Sequence, residues 1–204
     1  TAYEIMPSLV GSEMCIRDSL FIEQPLHRDI ALEESLYDQF EQWPDRPPVI
    51  IDESDATLES LTTALRLGNA GTSHKNCKGI YKGITNRCLI EKRAKEGEQV
   101  VMSGEDLCII GPVALLQDLA VCAALGIESV ERNGHHYHSG LSQLPESLQA
   151  ATLEHHADLY CQGPDGWPTL NIQKGRVSME SINNAPFGVG FEVGDVDVGE
   201  CVSV

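Results

Sequence analysis

Short apolar runs recur along the chain from Leu20, and each is followed by a segment of helical spacing. Leu20-Phe21-Ile22-Glu23 is apolar up to a carboxylate and is stopped by Pro25, as a buried parallel strand would be. Residues 29–43 then place Ile30, Leu32, Leu36, Tyr37 and Phe40 on one helical face, and Pro44, Pro47 and Pro48 end the segment. Val49-Ile50-Ile51 predicts a second strand, again ending in acid at Asp52 and Glu53. Residues 57–67 predict a helix with Leu58, Leu61 and Leu65 inward and Gly68 as its stop. A third, less apolar strand is expected through residues 70–76 and a helix over about 79–95. Gln99-Val100-Val101-Met102 gives a fourth strand, residues 111–125 the helix behind it, and residues 127–132 a fifth strand.

Strands alternating with helices in this way indicate parallel β-structure joined by right-handed crossovers. Both an open doubly wound sheet and a barrel satisfy the rhythm. A nucleotide-binding sheet would carry a glycine-rich turn after its first strand, whereas Glu23-Gln24-Pro25 has none. Polar and charged residues instead close strand after strand, where a barrel keeps its reactive groups. The expected fold class is therefore α/β, a partial (β/α) barrel of about five strands. After His138 the pattern changes. Residues 141–153 have modest helical spacing and 155–166 read as loop. Residues 169–172 and 176–179 flank Lys174-Gly175 as a small hairpin, and a Gly- and acid-rich tail follows from Phe187. The expected organisation is a barrel portion over 20–140 and a C-terminal portion over 141–204.

Charge narrows the partners. The 204 residues carry a formal net charge of -17, which repels phosphate backbones, and no Lys/Arg cluster interleaves with aromatics. Nucleic acid and membrane are excluded as expected partners, since the most apolar region, 107–127, is interrupted by Gly111, Pro112, Gln117 and Asp118. The seven cysteines include no Cys-x-x-Cys pair, which argues against a disulfide framework and for small buried thiols in a cytoplasmic enzyme. Residues 1–19 fit neither a signal nor a transit peptide. The run Val10-Gly11-Ser12-Glu13-Met14-Cys15-Ile16-Arg17-Asp18-Ser19 resembles the translation of a sequencing adaptor, so the native polypeptide is expected to be interrupted just before Leu20. Continuous coding sequence across that junction in the source DNA would refute this.

Strand alternation puts Glu23 on the face of Phe21, and Asp52 on the face of Ile50. If both faces point into a barrel, two carboxylates meet at its mouth, the donor type that Mg2+ prefers. On the third strand Ser73 and Lys75 share a parity that His74 does not. Glu105 follows the fourth strand. His135, His136 and His138 follow the fifth, where contact with substrate by His135 or His136 is a better reading than a zinc site, for which no fourth ligand is in evidence.

These residues carry a resemblance. Phe21-Ile22-Glu23-Gln24-Pro25 and Ile51-Asp52-Glu53-Ser54 resemble the successive metal-ligand strands of the muconate-lactonizing and mandelate-racemase branches of the enolase superfamily. Ile172-Gln173-Lys174-Gly175 and Pro186-Phe187-Gly188-Val189-Gly190 are similar to its closing hairpin and Gly-rich end. The resemblance implies a Mg2+-dependent lyase or isomerase that removes the proton α to a carboxylate, acting on acid-type substrates such as sugar acids. It makes Glu23 and Asp52 the second and third metal ligands, and Lys75 the acid/base, with a gap-free match favouring Ser73 instead. Glu105, His135 and His136 become candidate substrate contacts. Cys108 stands where the family often has a Glu. A homo-oligomer is implied for the full-length form. The first metal ligand and a further acid/base group would lie upstream of Leu20, so this chain alone is expected to bind Mg2+ weakly and to show no turnover. The alternatives are another metal-dependent barrel lyase or aldolase, or a non-catalytic enolase-like interaction protein.

Overall fold

The computed structural model describes residues 20–105, 111–131 and 134–193, without the side chains of His135 and His136. The chain divides into two compact units, Thr1–Gly104 and Glu105–Val204. The proposed adaptor segment, Cys108 and the tail beyond Val193 lie outside the described residues.

The first unit contains β1 (Ile22–Glu23), α1 (Ser35–Glu41), β2 (Val49–Ile51), α2 (Ser60–Arg66), β3 (Gly71–His74), α3 (Ile80–Lys95) and β4, Val101–Glu105, whose last residue falls at the division. A 3-10 turn, Asn76–Lys78, separates β3 from α3. Strands β1 to β4 are parallel and lie side by side in chain order. An open doubly wound sheet reverses its strand order at a switch point, whereas here each new strand adds on the same side, the order of a barrel. The fold is α/β of partial (β/α) barrel type, as its sequence predicts. Strand β2 is buried along its whole length, at 2%, 0% and 2% exposure, because it is covered on both faces. Leu36 and Phe40 of α1 pack on Val49, with Ile22 and Leu26 beside them.

Two helices are shorter than their periodicity suggests, and this changes their faces. α1 starts only at Ser35; within it Leu36 and Phe40 are buried while Tyr37 is half exposed. α2 starts at Ser60; Leu58 is 60% exposed, and the inward row is Leu61, Ala64 and Leu67. Arg46 joins the two helix ends. Its guanidinium lies 4.5 Å from the Phe40 ring centroid. It donates to the carbonyls of Phe40, Trp43 and Gly68 at 2.8, 3.0 and 2.9 Å. At Gly71 a Cβ would lie 1.7 Å from the Val101 carbonyl oxygen, so only glycine allows β4 to approach β3 this closely.

The second unit holds α4 (Val113–Ala124), β5 (Val130–Glu131), a one-turn helix α5 (Gly134–Tyr137), α6 (Glu146–His155), β6 (Tyr160–Gln162), β7 (Pro168–Leu170) and α7 (Glu180–Asn184). Leu115, Leu116 and Leu119 of α4 pack with Leu141, Leu159, Tyr160 and Ile182 as its core. The antiparallel hairpin is β6–β7, within a stretch that the sequence suggests is mostly loop. At the expected hairpin the Lys174-Gly175 turn does form, both residues having positive φ, but only the single bridge Gln173–Arg176 follows. Of the described cysteines, Cys122 is buried, but Cys77 and Cys88 are exposed and so are not core thiols. Among the described residues no helix is long and apolar enough to cross a membrane.

His156 fixes the end of this unit. It is fully buried; Nδ1 meets Ser181 Oγ at 2.8 Å, and Nε2 accepts from the Gly190 N–H at 3.0 Å. Burial lowers its pKa; Asp158 opposes that shift and His155 adds to it. With a folded value below the ordinary 6.5, the unfolded chain takes up the proton first. The contribution of His156 is therefore complete above about pH 6.5 and is lost as the pH falls through the folded value. The melting temperature of the wild type should drop more between pH 7.5 and 5.5 than that of His156→Gln. Equal drops in calorimetry would show that His156 does not carry the effect.

Candidate functional site

The ends of β1, β2 and β3 are tied together by side chains rather than by backbone pairing alone. In the parallel register Glu23 lies opposite Ile50, so Glu23 and Asp52 are on neighbouring strands and share a face. Asp52 is two residues further along, roughly 6–7 Å in the strand direction. Ile51 lies opposite Thr72, which continues to set Asp52 beside Ser73, and Ser73 is paired with Ser103. Gln24, with φ of 38°, turns its amide onto the next strand end. Its Oε1 accepts from the backbone N–H groups of Asp52 and Ser54 at 2.7 and 3.2 Å. Its Nε2 donates to Ser54 Oγ at 2.8 Å and to the Leu26 carbonyl at 2.7 Å. The Glu-Gln-Pro and Asp-Glu-Ser motifs thus bind each other, and Gln24 orients the backbone that presents Asp52.

Asp52 itself is 3% exposed, and Lys75 7%. Lys75 Nζ donates to Asp52 Oδ2 at 2.7 Å and Lys78 Nζ to Oδ1 at 2.6 Å. Lys78 also donates to the carbonyls of Asp52 and Ser73 at 2.7 and 2.9 Å. Burial pushes the Asp52 pKa upward, but the bonds and charges of Lys75 and Lys78 outweigh it and leave the carboxyl below its ordinary range. The 3-10 turn makes this possible: Lys75 precedes it and Lys78 is its last residue, and the Lys78 N–H closes on the Lys75 carbonyl at 2.9 Å. His74, of opposite parity, packs at 4% exposure with Nε2 3.1 Å from Asn76 Oδ1, and burial foremost lowers its pKa.

A second buried charge supports the first. Asp55 Oδ2 accepts from Thr72 Oγ1 at 2.9 Å and from Asn86 Nδ2 at 3.0 Å, while Lys82 Nζ lies 3.1 Å from Oδ1 and also donates to the Asp55 carbonyl. Lys82 and Asn86 are one turn apart on α3, so this helix turns a polar stripe inward and leaves Ile80, Tyr81 and Ile84 exposed. The hydroxyls of Ser73 and Ser103 are buried without a hydrogen-bond partner among the described residues.

Of the expected site residues, the structure brings Lys75 and Asp52 into contact, with Ser73 alongside, and keeps Glu23 on the adjacent strand with the same facing. Glu105 belongs to the second unit, where its carboxylate and that of Glu131 come within 4.8 Å of one another. The side chains of His135 and His136 lie outside the described residues. Lys78, Lys82, Asp55 and Asn86 were not among the expected residues. The only signal for Lys78, Lys82 and Asn86 is the 75, 78, 82, 86 spacing, which looks like a solvated helix until its partners Asp52 and Asp55, past the end of β2, are known.

No family model and no curated protein matches the chain. Among solved structures it is similar to a mandelate racemase/muconate lactonizing protein from Herpetosiphon aurantiacus, at 15% identity and a TM-score of 0.49. That similarity covers 68% of this chain and 37% of the other, so the chain spans well under half the length of the protein it matches.

The buried pairs make a stability prediction. Lys82→Met should cost about 3–5 kcal/mol in urea unfolding, because it strands the Asp55 carboxylate. Adding Asp55→Asn should recover part of that loss; a double variant as unstable as the sum of the singles would show that the two charges do not interact.

Proposed function

We propose that this chain is the site-bearing part of an enzyme of lyase or isomerase type that takes the proton α to a carboxylate. Racemisation, epimerisation, dehydration and cycloisomerisation all begin in this way. The resemblance of Glu23-Gln24-Pro25 and Asp52-Glu53-Ser54 to enolase-superfamily strands supports the reading. The observation that carries it is the Lys75 ammonium held against buried Asp52 beyond the C-terminal end of β3, the end at which barrels do chemistry.

The chemical demand is for positive charge. An α-proton of a carboxylate is weakly acidic, and removing it puts a second negative charge on the carboxylate oxygens. Lys75, ion-paired with Asp52, rests in its protonated form. It therefore enters as the acid: a base supplied by the full-length enzyme takes the α-proton, Lys75 stabilises the enediolate and gives its own proton to that carbon, and the neutral Lys75 is the base for the return direction. Asp52 fixes the position of Nζ; Gln24 fixes Asp52.

Magnesium is the cofactor that the resemblance brings, with Glu23 and Asp52 as its ligands. Carboxylates are the right donors for a hard cation. Asp52 as placed nevertheless does not fit, since each of its oxygens lies within 2.7 Å of an ammonium nitrogen.

The test is solvent exchange. The full-length protein in D2O should wash deuterium into the α position of one or more 2-hydroxy or sugar acids, followed by 1H NMR. Lys75→Met should lower that rate by about 100-fold or more, the range of a lost general acid/base. Lys75→Arg should lower it comparably, because a guanidinium keeps the charge without yielding its proton. Undiminished exchange in either variant would remove Lys75 from the chemistry.

A further inference from the structure

We infer that Lys78 is a positioning residue that locks Asp52 as the counter-ion of a lysine pair and withholds it from divalent cations. An ammonium group has three N–H donors and no acceptor. All three on Lys78 are used, on Asp52 Oδ1, the Asp52 carbonyl and the Ser73 carbonyl, at 2.6, 2.7 and 2.9 Å. The other carboxylate oxygen, Oδ2, receives Lys75 at 2.7 Å. A cation approaching Oδ1 must expel Lys78, and the Asp52 and Ser73 carbonyls would each lose that donor. A cation that leaves Lys78 in place would sit beside two ammonium charges with one carboxylate between them. Both routes are unfavourable with Asp52 at 3% exposure, where water screens little.

The lock is local in origin. Lys78 closes the 3-10 turn that Lys75 opens, and Gly79, with φ of 101°, ends it, so the turn brings both ammonium groups onto one carboxylate. Lys78 touches neither substrate nor reacting atoms in this scheme. Its work is to hold Asp52, and through Asp52 the Nζ of Lys75. The meaning of the lock for catalysis rests on the proton-abstraction reading, but its detection does not.

The test is Mn2+ binding, followed by the loss of the free-ion electron paramagnetic resonance signal and, for Mg2+, by calorimetry. Asp52→Asn should leave the wild-type affinity within about twofold. Lys78→Met should bind Mn2+ at least 10-fold more tightly than wild type, a gain that a merely structural lysine would not produce. Asp52→Asn added to Lys78→Met should abolish that gain, and Lys78→Arg should show none. A tenfold loss in Asp52→Asn, or no gain in Lys78→Met, overturns the inference. If Asp52→Asn does not fold, as circular dichroism would show, Lys78→Met against Lys78→Arg still decides it. No turnover enters these readouts, so failure of the proton-abstraction reading would appear in the exchange assay alone.

Discussion

One buried carboxylate organises the first unit. Placing Asp52 out of water would be costly for a lone charge, and the two ammonium groups that meet its oxygens offset that cost only because the geometry is close on both sides. Each of the three comes from a different position in the chain order: Asp52 from the end of β2, Lys75 from just beyond β3, and Lys78 from the turn that follows. Gln24 adds the end of β1 by holding the Asp52 and Ser54 amides. Hydrogen bonds between backbones align the strands, but this side-chain junction determines where their ends lie. A site built this way is rigid, because moving any one member leaves another charge or amide unpaired.

The parts legible in advance were those where one residue's chemistry decides its place. Val49-Ile50-Ile51, an apolar run between Pro48 and Asp52, predicts a strand, and its bounds are those of β2. The paired motifs were visible as neighbours of two strand-end acids, although their mutual binding was not. That binding runs through the Gln24 side chain, and no periodicity encodes a side-chain amide reaching another strand. Helix faces were less legible. Tyr37 and Leu58 fit an apolar row, yet Leu58 precedes the first turn of α2 and Tyr37, inside α1, faces outward at half exposure. α3 inverts the usual rule, with Lys82 and Asn86 inward and Ile80 and Tyr81 outward. Only the presence of Asp55 on the loop after β2 makes that arrangement favourable, and Asp55 is distant in sequence.

In the second unit the same limit applies to a polar residue at its centre. His156 stood in a stretch without hydrophobic period, so its segment resembled loop. It is fully buried because both ring nitrogens find partners, Ser181 on one side and the Gly190 amide on the other. At Gly190 a Cβ would stand 3.3 Å from the His155 Cβ, so a larger residue there would need His155 to shift by a few tenths of an ångström. The β6–β7 hairpin is illegible in the sequence for a related reason: a three-residue strand such as Tyr160-Cys161-Gln162 is too short to display alternation.

The same reasoning bears on what a motif can say about chemistry. Asp52 is a carboxylate at a strand end, and that identity is all the neighbouring Glu-Ser pair conveys. Whether the carboxylate serves a metal or a lysine depends on the charges brought to it by residues 75 and 78, which a motif around residue 52 does not contain. Here those charges are two ammonium groups, one with every donor used. A positive neighbour lowers the carboxyl pKa as a metal would, so a lowered pKa is common to the two states. What separates them is the location of the compensating charge: on a diffusible ion that leaves with a chelator, or on side chains anchored to carbonyls of the same strands. The second arrangement keeps the site's charge balance within the chain itself, with Lys75 and Lys78 each on one oxygen of Asp52.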